Sequence, residues 1–303
     1  MHKVIGIGET VLDIIFQNDQ PQRAVPGGSV FNAMVSLGRC GVPALFISEL
    51  GNDNAGRFIQ SFMAENRLST DYIDFFDDGQ SPLSLAFLDE NRNARYSFYK
   101  DFPETRLNIP FPGINKNDIL MLGSYFAVNP VLRSKVWTLL QQAQLQGAII
   151  YYDINFRKAH TGERQALLPH FIENFEAATI IRCSDEDADV LFPQQSLAEI
   201  YERYFLPGKK ILIVTQGEKP VWLKTPSWEK TYPVKAITPV STIGAGDNFN
   251  AGLVYGIIKN NIPTDSFGAL PEKQWDLLIS YAQLFAAQAC LSPDNYVPED
   301  FII

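Results

Sequence analysis

Short runs of apolar, β-branched residues recur along the chain at 4–8, 44–50, 119–123, 149–153, 180–183 and 210–215. Several are apolar at consecutive positions, so both faces of the expected strand must be covered. Between them lie segments with helical spacing of apolar residues, at 30–38, 54–66, 129–146, 163–175, 197–204, 244–260 and 271–291. Strands alternating with helices predict an open, mostly parallel α/β sheet. Such a sheet binds ligands at the carboxyl ends of its strands.

Two segments break the alternation. The runs 12–16 and 23–25 enclose a polar turn at 17–22, and the runs 84–89 and 93–100 flank a turn at Glu90-Asn91-Arg92. Strands that return without an intervening helix predict one of two things. They form a small β lid, from about 12–25 and 84–100, that excludes water from a strand-end site, or an edge hairpin that only extends the sheet.

The length of 303 residues allows one large domain or two ordinary ones, and 46% hydrophobic with 19% charged residues is the balance of a chain with a sizeable core. With 25 lysines and arginines against 34 aspartates and glutamates, the net charge is −9. That argues against a nucleic-acid partner, whose phosphates need a basic face. A small phosphate-bearing ligand stays possible, because it needs only backbone amides and one or two cations. Cys40, Cys183 and Cys290 are an odd number without metal-ligand spacing and read as reduced thiols. The opening MHKVIGIGETVLDIIF has the pattern of neither a signal peptide nor a membrane span, so no membrane and a cytoplasmic location are expected.

The sharpest chemical signal is PVSTIGAGDNFNAGLVYG at 239–256. Gly244, Ala245 and Gly246 put almost no side chain at an expected helix start, where unpaired amides and the macrodipole favour an anion. Asp247 beside that anion makes sense if it accepts a proton from a hydroxyl attacking a phosphate. The alternative is an Asp that stabilises the helix dipole, with glycines that allow tight packing. A second signal is VPGGSVFNAMVSLGRCG at 25–41, where Gly27-Gly28 open a helix carrying Ser29 and Asn32. Asn offers a donor and an acceptor, which suits a sugar hydroxyl; the alternative is a plain turn and a surface Asn. GIGETV has Val11 where a dinucleotide fingerprint needs its third Gly, no phosphate-loop motif occurs, and His2, His160 and His170 lack ligand spacing.

Taken together, GETVLD, GGSVFNAMVSLGRCG, LGNDNAGRF, YYDINFR, VTQGEKP and STIGAGDNFNAG resemble the ribokinase-like (PfkB) family of carbohydrate kinases along nearly the whole chain. The resemblance implies a single domain over 1–303, a three-layer α/β/α sandwich with a β lid. It implies transfer of the γ-phosphoryl of ATP to a sugar hydroxyl with Mg²⁺. Asp247 matches the catalytic base, Gly244, Ala245 and Gly246 the anion hole, and Arg157 a basic residue near the transferring phosphate. Asp13, Gly28 and Asn32 match sugar-binding groups. Thr215, Gly217 and Ser184 match the nucleotide side, and Asp53 and Gly56 a segment shaping the floor of the site. The phrases GETVLDI, YSFYKDFP and SDED look most like fructokinases, with Lys100 in the lid where many carry Arg; a 2-keto-3-deoxygluconate kinase or ribokinase is the nearest competitor. The resemblance also implies a possible homodimer through the lid.

Departures from the family pattern matter for the metal and the nucleotide. The NxxE motif reads Ser184-Asp185-Glu186-Asp187, so Asp187 has a shorter reach to any water bridging to Mg²⁺. Ser241 stands where relatives carry a carboxylate that helps hold a monovalent cation, which argues against K⁺ activation. Pro220 replaces the second Gly of the TxGxxG loop. These changes motivate a rival expectation, a sugar-binding sensor with a kinase fold and little catalysis.

Overall fold

All six runs expected as core strands lie side by side in one sheet of the computed structural model, which describes residues 2–88 and 94–303. The chain opens with β1 (Val4–Ile7), β2 (Val11–Gln17), β3 (Gln20–Gly27), α1 (Ser29–Arg39), β4 (Ala44–Gly51) and α2 (Asn54–Glu65). It continues through β5 (Leu68–Ser69), β6 (Ile73–Phe76), β7 (Gln80–Leu88), β8 (Ala94–Asp101), β9 (Ile119–Gly123), α3 (Arg133–Gln146), β10 (Ile149–Asp153) and α4 (Arg164–Ala177). The last third holds β11 (Ile180–Ser184), α5 (Asp185–Leu191), α6 (Leu197–Ile200), β12 (Ile211–Gln216), β13 (Lys219–Lys224), β14 (Glu229–Tyr232), α7 (Ala245–Lys259) and α8 (Glu272–Cys290).

The large sheet runs β14-β13-β12-β11-β10-β9-β1-β4-β5, with β6 also paired to β4. It is parallel from β12 to β5, and only β13 and β14 are antiparallel. Alternate residues of each strand feed two separate cores, as a period of two requires. Val4, Ile119, Met121 and Tyr151 pack with α1, α2, α7 and α8, while Ile5, Leu120, Leu122 and Tyr152 pack with α3, α4, α5 and α6. This is why β1, β9 and β10 are apolar at nearly every position and buried throughout. The order reverses around β1, since the chain goes next to β4 on one side and later to β9 on the other. An open α/β sheet leaves its ligand crevice at such a point, outside the carboxyl ends of the strands.

β3, β2, β7 and β8 form a second, four-stranded sheet that is not hydrogen-bonded to the first. Of the two expectations for the interrupting strands, the separate sheet is the one observed. β2 and β7 pair in parallel and the outer pairs are antiparallel. The expected turn at 90–92 lies outside the described residues. No helix among the described residues is long and apolar enough to cross a membrane.

Several element boundaries differ from expectation for identifiable reasons. The helix expected from 129 starts at Arg133, because Asn129 precedes Pro130 and takes an extended backbone (φ −60°, ψ 121°). The helix expected over 197–204 is α-helical only to Ile200 and continues as a π-helical turn over Tyr201–Phe205. The pattern reading omits α5, β5, β6, β13 and β14. Helix α5 does carry a start signal, a capping box in which the Ser184 hydroxyl accepts the Asp187 amide and the Asp187 carboxylate accepts the Ser184 amide.

Candidate active site

Strands β10 and β11 reach the start of α7 through Asp153, bound to Asn250, and Arg182, set against Gly246, and β12 joins them where Arg182 binds Thr215. Gly244 caps that helix in the left-handed region (φ 79°), and a Cβ there would lie 2.6 Å from the Asn295 carbonyl oxygen. Only glycine fits both demands. Asn248 secures the turn by donating from Nδ2 to the Gly244 and Asn295 carbonyls, both at 2.8 Å. The amides of Gly246 and Asp247 have no partner among the described residues, and Ala245 reaches back to Thr242 at 3.3 Å. Free amides at the start of a 15-residue helix are the donors an anion requires.

Asp247 stands at this turn and accepts a hydrogen bond from Asn32 Nδ2 at 2.8 Å. Two motifs 215 residues apart thus meet in one contact. Burial pushes the Asp247 carboxyl up to about 7; Asn32 opposes the rise, Asp153 adds to it, and Arg157 and Arg182 oppose it. A carboxyl poised near neutrality suits proton transfer. Asn32 Oδ1 is buried without a partner, an acceptor still to be used. Arg157 is exposed and its guanidinium has no hydrogen bond or ion pair among the described residues, yet its charge acts on both Asp247 and Tyr96 of the small sheet.

On the other side of the crevice stands Asp13 in β2. It accepts the Ser84 hydroxyl of β7, and burial pushes its carboxyl up to about 6, with Ser84 opposing and Glu9 adding. Gly27 and Gly28 leave room for this arrangement. A Cβ at Gly27 would lie 2.5 Å from Asp13 Oδ2, and one at Gly28 (φ 141°) 2.2 Å from the Glu9 carbonyl oxygen. Lys100 does not stand free over the crevice. Its Nζ binds both Glu9 carboxylate oxygens, at 2.7 and 2.8 Å, and so ties β8 to the segment after β1.

The segment 293–297 braces both sides at once. Arg23 pairs with Asp294 at 2.6 Å, the Tyr296 hydroxyl donates to the Pro26 carbonyl, and Asn295 carries the carbonyl beneath Gly244. Asp53 and Gly56 have a different task. Asp53 caps α2 through the Gly56 amide (2.7 Å) and accepts the Ser81 amide (2.7 Å) and hydroxyl (2.9 Å), which ties α2 to the start of β7. Burial alone would raise this carboxyl, but those amides hold it below its ordinary value.

A buried polar network that sequence reasoning overlooked lies behind α7. Arg182 in β11 is 6% exposed and pairs with Asp153 at 3.1 Å. Asp153 also accepts Asn250 Nδ2 at 2.8 Å, and Tyr151 donates to Asn250 Oδ1 at 2.8 Å. Arg182 further donates to the Thr215 hydroxyl at the end of β12. Burial works most strongly against the Arg182 charge, but Asp153, Asp187 and Tyr151 together hold the guanidinium above its ordinary pKa. Removing one member of such a pair costs about 3–5 kcal/mol, so single substitutions here report on folding as well as on chemistry. The signal for Arg182 was available, a lone charge in the strand run IIRCS.

Thr215 and Gly217 stand at the end of β12, Gly217 in the left-handed region (φ 60°) with open space around it. Ser184 and Asp187 close the α5 capping box, with Asp187 Oδ2 accepting from the Ser184 amide at 2.8 Å and hydroxyl at 2.7 Å. Asp187 therefore has one oxygen committed to the helix start. No cluster of three or more acidic, His or Cys side chains suited to a metal occurs among the described residues. This donor set fits Mg²⁺ carried by nucleotide phosphates and reached through water, the usual mode for that ion, rather than an all-protein cage.

A model of the pfkB family of carbohydrate kinases matches residues 1–299. A fructokinase from Vibrio alginolyticus is 24% identical over 256 residues, covering 84% of this chain and 83% of the relative. Among solved structures, fructokinase from Xylella fastidiosa with bound ATP superposes with a TM-score of 0.84 at 20% identity, over 97% of this chain and 94% of that one. A double mutant of fructokinase from Vibrio cholerae O395, holding fructose, ADP and a potassium ion, superposes with a TM-score of 0.81 at 22% identity and the same coverage. The fold is ribokinase-like, with a mostly parallel central sheet between helices. The chain belongs to the pfkB family of carbohydrate kinases.

Proposed function

We propose that this carbohydrate kinase transfers the γ-phosphoryl of ATP to the primary hydroxyl of fructose, giving fructose 6-phosphate. The observation that carries the reading is the Asn32–Asp247 pair at the open amides of α7. It joins a group on α1 able to hold a sugar hydroxyl to a base tuned near neutrality and an anion cradle in the first turn of α7. The fructokinase relatives, and the fructose bound in the Vibrio cholerae structure, support fructose as the sugar.

Phosphoryl transfer asks a protein for alignment, charge neutralisation and a base. In this reading Asp13 and Asn32 hold the sugar hydroxyls, with Gly28 giving the backbone a close approach. Asp247 in its ionised form takes the proton of the attacking hydroxyl at Oδ1 or Oδ2. The 244–246 turn with the open amides of Gly246 and Asp247, together with Arg157, neutralises the transferring phosphoryl oxygens, and Thr215, Gly217 and Ser184 line the nucleotide side. Asp187 would hold Mg²⁺ bound with ATP through water, and the ion would supply charge neutralisation to the phosphates. Ser241, whose hydroxyl accepts the Ile243 amide at 3.2 Å, serves its own loop and leaves no carboxylate for K⁺. The small sheet acts as a lid, with Lys100 leaving Glu9 to meet the sugar, and the open edge of β8 pairs with a second copy to give a homodimer.

A coupled assay of ADP release over fructose, ribose and 2-keto-3-deoxygluconate tests the substrate. Fructose is expected to give the highest kcat/KM. A higher value with either other sugar would reassign the substrate, and no turnover with any would favour the sensor reading. Light scattering of the purified chain tests the dimer.

A further inference from the structure

We propose that Arg182 is a positioning residue that couples the nucleotide-side loop after β12 to the anion cradle at the start of α7. The inference rests on the kinase reading above. Three elements meet on this one guanidinium: Asp153 of β10, the Thr215 hydroxyl of β12 and the backbone of Gly246. A Cβ at Gly246 would lie 2.8 and 3.0 Å from the two terminal nitrogens, so the cradle's middle residue rests directly on the guanidinium. Glycine at 246 is thus required by Arg182 as much as by any phosphate.

The geometry assigns a mechanical role rather than a supply of charge. Asp153 neutralises Arg182 at 3.1 Å, so the pair adds little net charge behind the cradle. What the planar fork adds is direction. It holds Asp153 through one terminal nitrogen and Thr215 through the other, which an ammonium on a flexible stem cannot do with the same rigidity. Arg182 Nε has no partner although it is buried, so the side chain is placed by these contacts and not by full satisfaction of its donors. Movement of Thr215 on nucleotide binding is passed to Gly246, and so to the amides that receive the phosphoryl group.

The test compares R182K with the paired variant D153N/R182M, which removes both buried charges and leaves neither unpaired. Both are checked for wild-type circular dichroism and melting before kinetics. In R182K the KM for ATP is expected to rise about tenfold, the scale of one lost charge-assisted hydrogen bond, with the sugar KM changed less than about twofold. D153N/R182M is expected to show the same split, because the rigid fork that donates to Thr215 is lost in both. Calorimetric binding of a non-hydrolysable ATP analogue repeats the comparison without turnover. Wild-type affinity for the analogue in a folded variant would overturn the proposal, as would equal increases in both KM values. Failure of the kinase reading is seen separately, as a wild-type chain that phosphorylates no sugar.

The acid limb of the rate profile gives a further readout. Asn32 from α1, Asp153 from β10, Arg157 beyond it and Arg182 from β11 are the groups that act on Asp247. R182M leaves Asp153 unpaired and is expected to move the limb to higher pH, and D153N/R182M to bring it back. A limb unmoved in folded R182M would show that Arg182 does not reach the cradle.

Discussion

The two walls of the crevice are built on opposite plans. The wall proposed to take the phosphate is the start of α7 set against β10, β11 and β12, where buried polar groups are tied to one another: Arg182 to Asp153, and Asn250 to Asp153. The wall proposed to hold the sugar is the small sheet, where Tyr96, Phe98 and Tyr99 are exposed and the cation Lys100 is held by a partly exposed pair with Glu9. Buried pairs lose several kcal/mol when broken, whereas exposed ones are worth about 0–1 kcal/mol. One wall is fixed before any ligand arrives, and the other can exchange its contacts cheaply. In a kinase that division places a constant chemistry against a changeable choice of sugar.

The largest effect should come from the fixed wall. Asp247→Asn is expected to lower kcat at least ~100-fold while sugar and ATP binding stay largely in place. Near-normal turnover would return Asp247 to a helix-end role and dissolve the contrast. Next come Asp13→Ala and Asn32→Ala, each expected to raise the sugar KM roughly 5- to 150-fold, the cost of leaving a buried partner unpaired. The ATP KM should move much less. The two variants should then part company, because Asn32 lowers the Asp247 pKa and Asp13 is not among the groups that act on it. Asn32→Ala should shift the acid limb of the rate to higher pH and Asp13→Ala should not.

How far the sequence carried this reading follows the same division. GAGD and GGSVFN were legible because anion cradles and close approaches need small residues at fixed places, and their meeting at Asn32–Asp247 is what those motifs require. The six core strands were legible because two-sided burial leaves an unbroken apolar run. Arg182, Asp153 and Asn250 were not assigned roles, since a charge inside a strand shows its partner only after three separate strands and a helix are assembled. Lys100 was placed by resemblance to relatives, and its pairing with Glu9, 91 positions earlier, is a tertiary choice that no local pattern encodes.

Stability offers a smaller, independent measure of the fixed wall. Between the ordinary carboxyl value of 3.8 and about 7, the folded chain keeps on Asp247 a proton that the unfolded chain has released. Stability from this group therefore falls as pH rises through that window. Asn mimics the protonated acid, so Asp247→Asn should melt above the wild type at pH 8, with the gap closing towards pH 4. A gap that is the same at both pH values would mean that Asp247 is ordinary in the folded chain. The smallest effect concerns monovalent ions. Replacing K⁺ by Na⁺ at constant ionic strength should change the initial rate less than about threefold, since Ser241 supplies no carboxylate. Tenfold activation by K⁺ would show that backbone carbonyls build an ion site unaided.

The brace at 293–297 has a consequence for the order in which the site can be completed. Its contacts reach back to Pro26, 270 residues earlier, and to the carbonyl stack beneath Gly244. The cradle and strand β3 lack their shared support until this segment has docked. Docking of 293–297 is then the step that completes the site, so disrupting the segment should weaken substrate binding.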